Sequence, residues 1–495
     1  MPTLSSNDSL SGWIAGQSEI AASSLLAAIS ATHLTKERRG FGQTIRPARG
    51  SILASTSIGS WDPDPDYFFH WQRDSAVAVD ALRHLICGGP HAEEAIVHCR
   101  NFIAFSDTLN QLDGSQFLNE AGDFRKNVEP FFLQYVRDDS DLLRIRGDRV
   151  LGEPRFNPDT TLDISKWNRP QHDGPALRAL ALMRHWGIGA FNAADLGLMR
   201  KLILADLNFL ACHWREPSYD IWEEELGAHY CTLLLQFAAL ADGALWVRRA
   251  DVDALETAQS FCVAAKDIAL SLDGFWSDIK GHYVSRCNVA NGAGGKDLDF
   301  AVILGVLHAA RTAGAHSVLD FKVVATLLRL EDFFAQAYPI NRMRPENRGP
   351  AMGRYAGDSY FSGGAYYFST LGAAEYYYAL AEAIAAGTGF PEIAKDEAFL
   401  LRLGLPGGGR ALSPEGERRR IFAALMKRGD QYMATVAAFT PASGELSEQF
   451  DQKTGAQTSA KTLTWSYAAF ITAAARRKAA LQCAASHPLQ GVSPA

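Results

Sequence analysis

Paired-cysteine motifs, long apolar runs and a leader-like segment are all missing from this sequence. The seven cysteines among the 495 residues are scattered, form no CxxC motif and cannot all pair internally because their number is odd. We expect mostly buried free thiols in a reducing compartment. No stretch approaches about 18 uninterrupted apolar residues, and no basic region precedes an apolar run at the N-terminus. These absences predict a soluble, cytoplasmic protein without membrane association, unless a signal peptide has been removed.

An excess of positive charge is also missing. The formal net charge is −7, and Lys and Arg are spread along the chain, which argues against a nucleic-acid partner. The thirteen histidines form no HExxH motif and no Cys/His set, so we expect no metal and no cofactor. The glycine-rich segment Asn291–Lys296 is similar to a phosphate-binding loop. However, Asp297 stands where that loop needs Ser or Thr to reach Mg²⁺, so we do not expect a nucleotide site.

Helical periodicity dominates what is present. Several of the periodic segments are apolar on more than one face, which suits inner helices packed between others. Amphipathic and apolar helices together predict an all-α helical barrel. We expect one domain over residues 1–480 and a tail at 481–495, and we interpret Pro406–Arg410 as a loop. The predicted helices cover about 18–33, 74–88, 92–108, 173–186, 194–213, 226–248, 252–271, 298–313, 319–337, 364–387, 414–438 and 462–481.

Aromatic and charged residues cluster where predicted loops meet helices. Sugar rings offer apolar C–H faces for stacking and hydroxyl groups for charge-assisted hydrogen bonds, so such clusters suit a carbohydrate pocket. A single cluster fits a capped helix start equally well, whereas five at helix ends favour binding. Long predicted loops at 109–172, 272–297 and 338–363 also favour function at one end. The clusters are Tyr67–Asp74, Trp167–Pro175, Tyr219–Glu225, Gly353–Phe361 and Ser447–Asp451.

These segments resemble the glucoamylase family of inverting glycoside hydrolases, glycoside hydrolase family 15. The motif Tyr-x-x-x-Trp-x-Arg-Asp-Ser begins at Tyr67, and Gly-Glu-Pro-Arg-Phe-Asn begins at Gly152. Trp-x-Arg-Pro-Gln-x-Asp-Gly-Pro follows from Trp167. The resemblance spans roughly residues 10–480 and implies an (α/α)6 barrel of six inner and six outer helices, with the active site in loops at one end. It also implies a glucan 1,4-α-glucosidase that releases β-glucose from the non-reducing ends of α-1,4-glucans or maltooligosaccharides.

The resemblance assigns the two catalytic carboxyl groups to distant parts of the chain. Glu223 corresponds to the general acid and Glu448 to the general base, and the hydroxyl of Ser459 corresponds to the group that orients the base. An inverting mechanism needs these carboxyl groups about 6.5–9.5 Å apart, with room for a water molecule between base and sugar. Residues so far apart in sequence meet only through the fold.

Substrate binding carries over in the same way. Trp71, Trp167 and Trp222 correspond to walls of the pocket, and Glu224 to a ligand of the sugar on the leaving-group side. Asp358 is expected to hold Arg354 or a loop in place. The remaining substrate-binding residues implied by the resemblance are Tyr67 near the attacking water, Arg73, Asp74, Arg354 and Trp465 around the terminal glucose, and the backbone carbonyl of Ile221.

The sequence departs from the family pattern at two positions expected to lie at outer subsites. Asp163 stands where the family often has an aromatic residue, and Tyr366 where it often has tryptophan. Linkage and chain-length preference therefore stay open. We expect no starch-binding domain after the barrel, so soluble maltooligosaccharides are favoured over granular starch. A relative acting on isomaltose, dextran or trehalose is one alternative, and a catalytically silent sugar-binding barrel is another. We expect a monomer.

Overall fold

The computed structural model describes residues 7–60, 63–250, 255–289, 295–389, 395–405 and 413–486. Twelve helices of nine residues or more organise this part of the chain. The predicted loop at 406–410, residues 291–294 and the tail from residue 487 lie outside these ranges. The helices are α1 Asn7–Ala27, α2 Gln72–Ile86, α3 Ala92–Leu109, α4 Asp173–Trp186, α5 Ala193–His213, α6 Tyr230–Ala250, α7 Leu255–Asp273, α8 Ala301–Ala309, α9 Phe321–Ala337, α10 Tyr367–Ala385, α11 Pro414–Phe439 and α12 Thr464–Ser486.

The even-numbered helices form a closed inner ring. In the order α2, α4, α6, α8, α10, α12, each helix contacts the next, and α12 contacts α2. The odd-numbered helices pack outside, for example α7 on α6 and α11 on α10. This arrangement is the predicted (α/α)6 barrel.

Burial explains which helices lie inside. Inner helix α10 is buried along nearly its whole length, including Tyr376, Tyr377 and Tyr378 on successive positions, because neighbours cover it on every side. The segment Tyr230–Arg249 of α6 is apolar enough to cross a membrane, with a mean hydropathy of 1.4, but 72% of it is buried inside the protein. Its apolar character is accounted for by its place in the ring.

Twelve short strands lie in the connections between the described helices. All pairings are antiparallel, in the sets β1–β2, β3–β4, β5–β6–β9, β7–β8 and β10–β11–β12. Strands β3, β6 and β10 lead directly into α2, α6 and α10. The strands are β1 Lys36–Arg38, β2 Gln43–Ile45, β3 His70–Trp71, β4 Arg155–Phe156, β5 Ser218–Tyr219, β6 Leu226–His229, β7 Trp276–Ser277, β8 His282–Tyr283, β9 Arg286–Cys287, β10 Ala365–Tyr366, β11 Gln449–Phe450 and β12 Gln457–Thr458.

Three local predictions were wrong. Helix α1 spans residues 7–27 rather than 18–33. Its buried face includes Leu10 and Ile14, which precede the predicted start, as well as Ala21 and Leu25. The stretch 109–172 is not one loop. It contains the short helices Gly114–Ala121 and Asp139–Leu142 and three 3₁₀ helices of four to six residues each. Among the cysteines, Cys87 and Cys212 are exposed and only Cys99 and Cys231 are fully buried.

Candidate active site

A cavity of about 440 Å³ opens where the inner helices begin. Twelve of the fourteen predicted site residues line it, and the other two, Asp358 and Ser459, lie directly behind lining side chains. The fold therefore brings together segments from all parts of the chain. The lining residues are Tyr67, Trp71, Arg73, Asp74, Lys166, Trp167, Asn168, Ile221, Trp222, Glu223, Glu224, Arg354, Tyr360, Phe368, Glu448, Leu463 and Trp465.

The loop between β5 and β6 holds Glu223 in a left-handed backbone conformation. The φ angle of Glu223 is 66°, a value uncommon for residues other than glycine and often associated with functional sites. Asp220 imposes this turn. Its carboxylate accepts the backbone N–H groups of Glu224 and Glu225, both at 2.8 Å, and its carbonyl accepts that of Glu223 at 2.8 Å.

Three N–H donors fix the carboxyl group of Glu223. The indole of Trp71 donates to Oε1 at 2.8 Å, and Nη2 of Arg73 donates to the same oxygen at 2.6 Å. The indole of Trp167 donates to Oε2. Both carboxyl oxygens are thus oriented before any substrate binds.

The carboxyl group of Glu448 has hydroxyl donors instead. Ser459 donates to Oε2, and the hydroxyl of Tyr67 lies 3.3 Å from Oε1 and 2.9 Å from the hydroxyl of Tyr360. Burial raises the pKa of Glu448 to about 7, although the hydrogen bond from Ser459 and the charge of Arg354 act in the opposite direction. Glu448 is therefore poised to gain or lose a proton near neutrality.

Arg73 connects Glu223 to the buried end of the cavity. Its Nη1 donates to Gln171 and to Asp173, each at 3.1 Å, and its Nε lies 3.6 Å from Asp74. Burial raises the pKa of Asp74 to about 6, against the opposing charge of Arg73. Polar groups capable of binding several sugar hydroxyls are thus concentrated at this end.

The three consecutive glutamates each contact a different set of partners. Glu223 forms an ion pair with Arg73, and Glu225 forms one with Arg286. Between them, Oε1 of Glu224 accepts a hydrogen bond of 2.9 Å from Arg354. Glu225 lies directly before β6, and α6 begins only at Tyr230.

Aromatic rings form the walls, and charged groups support them from behind. The guanidinium of Arg155 lies 3.6 Å from the ring centroid of Trp167. The indole of Trp222 donates to Asp299 at 2.9 Å and 3.0 Å, and burial raises the pKa of Asp299 to about 7. The ring of Phe368 stacks on that of Trp465, with centroids 4.6 Å apart. These contacts fix the ring planes that a sugar would meet.

Neither unusual position contributes a side chain to this cavity. Asp163 is buried in ion pairs with Arg155 at 2.8 Å and Arg169 at 3.1 Å. Tyr366 is 1% exposed, and its hydroxyl accepts from the side chain of Gln449 at 2.7 Å. The expectation of an outer subsite is therefore wrong for Tyr366. Asp163 lines a neighbouring cavity that shares Tyr67 and Trp167 with this one, so its place at an outer subsite stays a prediction.

Several lining residues were not predicted. Asn168 and Tyr360 lie within two of the predicted clusters, Trp167–Pro175 and Gly353–Phe361, and membership of these clusters was the available signal. Leu463 begins the motif Leu-Thr-Trp-Ser-Tyr that contains Trp465, whereas Lys166 and Phe368 carried no distinguishing sequence signal. Behind the cavity, Lys296 contacts Glu224 at 2.6 Å, although its glycine-rich segment had been interpreted only as a loop without nucleotide chemistry.

Comparison with known proteins places the chain in a family. Residues 40–475 match the model of Glycosyl hydrolases family 15. Glucoamylase P of Amorphotheca resinae is 31% identical over 86% of this chain, which spans 65% of that protein. A probable glucoamylase of Schizosaccharomyces pombe is 30% identical over 87% of this chain and 85% of its own length.

A solved structure agrees with these relatives. The glucoamylase of Hormoconis resinae superposes with a TM-score of 0.73 at 28% identity, covering 94% of this chain and 74% of that structure. The predicted family and barrel are thus confirmed. From its barrel, its motifs and these relatives, the chain belongs to family 15 of the glycosyl hydrolases, as a glucoamylase-like member.

Proposed function

We propose that this protein is an exo-acting, inverting glucan 1,4-α-glucosidase that releases β-glucose from the non-reducing ends of soluble maltooligosaccharides. One observation carries the proposal: of the four carboxyl groups that line a single cavity, Glu223 is surrounded by N–H donors and Glu448 by hydroxyl groups. Inverting hydrolysis requires two carboxyl groups in different roles.

Glu223 is the proposed general acid. It protonates the glycosidic oxygen as the bond to the leaving sugar breaks, and so becomes a carboxylate. The guanidinium of Arg73, 2.6 Å away, and the indole of Trp71 then stabilise the new negative charge. The same donors hold the carboxyl group in place, which reduces the entropy lost on reaching the transition state.

Glu448 is the proposed general base. It takes a proton from a water molecule that attacks the anomeric carbon on the face away from the leaving oxygen, so the product has the β configuration. Ser459 fixes the base, and the hydroxyl of Tyr67 is placed to bind that water as well as Glu448. Because burial raises the pKa of Glu448 to about 7, its carboxylate can accept a proton from water at neutral pH.

Differences in exposure support release of one terminal glucose. Arg73, Asp74 and Trp465 are 6–7% exposed, whereas the side chain of Glu224 is 32% exposed and Asn168 is exposed. A chain end entering from the exposed side places its last glucose among the buried groups. We also propose that residues 1–480 act as one catalytic domain and as a monomer.

The product and substrate range test the proposal. Maltose, maltotriose, isomaltose and trehalose are incubated with the protein, and fresh product is followed by polarimetry or proton NMR. We expect hydrolysis of the α-1,4 substrates with β-glucose appearing first. α-Glucose as the first product refutes inversion, and no glucose from any substrate favours the silent barrel. Faster hydrolysis of isomaltose or trehalose moves the proposal to that alternative, which the glucoamylase relatives do not favour.

A further inference from the structure

Lys296 is a buried lysine whose ammonium group joins two carboxylates of the loop that carries Glu223. It is 2% exposed, and Nζ lies 2.7 Å from Asp220 and 2.6 Å from Glu224. A lysine is rarely buried so completely unless it is paired. Burial alone would lower the pKa of Lys296, but the negative charges of Asp220 and Glu224 outweigh this effect. The pKa is therefore raised above its usual value, and the group stays charged.

The backbone of Lys296 is held on the same small sheet as that loop. The hydroxyl of Ser285 donates to the carbonyl of Lys296 at 2.6 Å, and the N–H of Ser285 donates to the carbonyl of Asp297 at 2.9 Å. Ser285 directly precedes β9, which pairs with β6. Strand β6 also pairs with β5, and the loop between these two strands carries Asp220 and Glu224. The lysine therefore keeps a fixed position relative to both carboxylates.

The two carboxylates on either side of the ammonium have different tasks. Asp220 shapes the backbone of the loop through the N–H groups of Glu224 and Glu225. Glu224 lines the cavity, and its two oxygens contact different cations, Oε1 with Arg354 at 2.9 Å and Oε2 with Lys296 at 2.6 Å. The plane of the Glu224 carboxylate is therefore fixed at both oxygens, while part of the group still faces the cavity.

We propose that Lys296 is a positioning residue that sets the Glu224 carboxylate for the hydroxyl groups of the sugar on the leaving-group side. It thereby determines how strongly the protein binds substrates of two or more glucose units. This inference rests on the proposed function. Without the ammonium group, Oε2 of Glu224 keeps only the hydroxyl of Tyr355 as a donor and loses its cationic partner. Asp220 also loses its counter-ion, so the carboxylate of Glu224 is held less firmly.

A substrate that lacks the second sugar isolates this role. α-Glucosyl fluoride has a single fluorine as its leaving group and makes no contact that depends on Glu224, whereas maltose places a glucose there. For Lys296→Met we expect kcat/KM for maltose to fall about 10- to 100-fold, mainly through KM, as for loss of a charged hydrogen bond. We expect kcat/KM for the fluoride to stay within about threefold of wild type.

Lys280→Met is the matched control. Lys280 pairs with Asp297, the residue next to Lys296, and its side chain is 45% exposed. We expect this variant to match wild type with both substrates. In a Glu224→Gln background, Lys296→Met is expected to lower maltose hydrolysis less than about threefold further, because the two residues act as one unit.

Three results overturn the inference: equal losses with both substrates, unchanged kinetics with maltose, or a full additional loss in the Glu224→Gln background. If Lys296→Met does not fold, Lys296→Arg carries the same comparison, with a smaller loss that is again confined to maltose. A wild-type protein that hydrolyses neither substrate refutes the proposed function, and this inference with it.

Discussion

The indole N–H of Trp71 donates a hydrogen bond of 2.8 Å to Oε1 of Glu223. The ring centroids of Trp71 and Tyr67 are 5.2 Å apart. The hydroxyl of Tyr67 lies 3.3 Å from Oε1 of Glu448. Two aromatic residues from one short segment therefore contact the proposed acid and the proposed base. The relative position of the two carboxyl groups depends on this segment, which β4 holds by pairing with β3.

Replacing Trp71 by phenylalanine keeps a ring but removes the donor to Glu223. We expect Trp71→Phe to lower kcat for maltose about 10-fold or more, with a smaller change in KM, because the acid is less well oriented. Trp276→Phe is the control, since Trp276 also donates to a carboxylate, Asp278 at 2.8 Å, but does not line the cavity. Equal effects in the two variants contradict the orienting role.

Replacing either proposed catalytic carboxyl group removes proton transfer. We expect Glu223→Gln and Glu448→Gln each to lower kcat for maltose by about 10³-fold or more, measured by glucose release. With 4-nitrophenyl α-glucoside, whose leaving group needs less protonation, the loss is expected to be smaller for Glu223→Gln only. Near-normal turnover of maltose by either variant rules out the assigned role.

The pH dependence of kcat/KM reports the base. Glu448 must be ionised to accept a proton, so we expect kcat/KM to fall as the pH drops below about 7, the pKa to which burial raises this group. The hydrogen bond from Ser459 lowers that pKa. Ser459→Ala should therefore move the acidic limb to higher pH.

A neighbouring serine provides the control for that shift. Ser447 donates to the carbonyl of Gln449 at 2.6 Å rather than to a carboxylate, so Ser447→Ala should leave the acidic limb where it is. A limb that moves to lower pH in Ser459→Ala, or that moves equally in both variants, argues against Glu448 as the group titrated.

Asp163 is expected to matter for stability. Asp163→Ala leaves the buried guanidinium groups of Arg155 and Arg169 without this counter-ion, and we expect the free energy of unfolding to fall by about 3–5 kcal/mol. Urea denaturation measures the change. Glu37→Ala is the control, because its ion pair with Arg39 is exposed and is worth about 1 kcal/mol or less. A loss below about 1 kcal/mol for Asp163→Ala contradicts the structural role.

Helical periodicity and the ordered motifs were sufficient to predict the barrel and the family. Several inner helices, such as α6 and α10, are apolar on more than one face, as burial between neighbours requires. Each motif keeps its chemical groups at fixed spacing, as in Tyr67 to Ser75. The roles of Glu223, Glu448 and the other site residues stay predictions, as do the domain limits.

Contacts between distant segments could not be predicted in the same way. Lys296 reaches Glu224 only because β9 pairs with β6, and no local pattern encodes that pairing. Tyr366 was expected at an outer subsite, but position in a motif does not say which way a side chain points. The fold turns it inward, toward Gln449.

The closed inner ring has an electrostatic consequence for the acidic cavity. Five of the six inner helices begin beside it: α2, α10 and α12 bring Arg73, Phe368 and Trp465 to its lining. Helix α4 begins at Asp173 and α8 begins just after Asp299, and these two carboxyl groups contact lining side chains from behind. Each helix start carries a backbone dipole equivalent to about half a positive elementary charge. The peptide groups of the barrel therefore offset part of the negative charge of the clustered carboxylates, independently of any arginine or lysine.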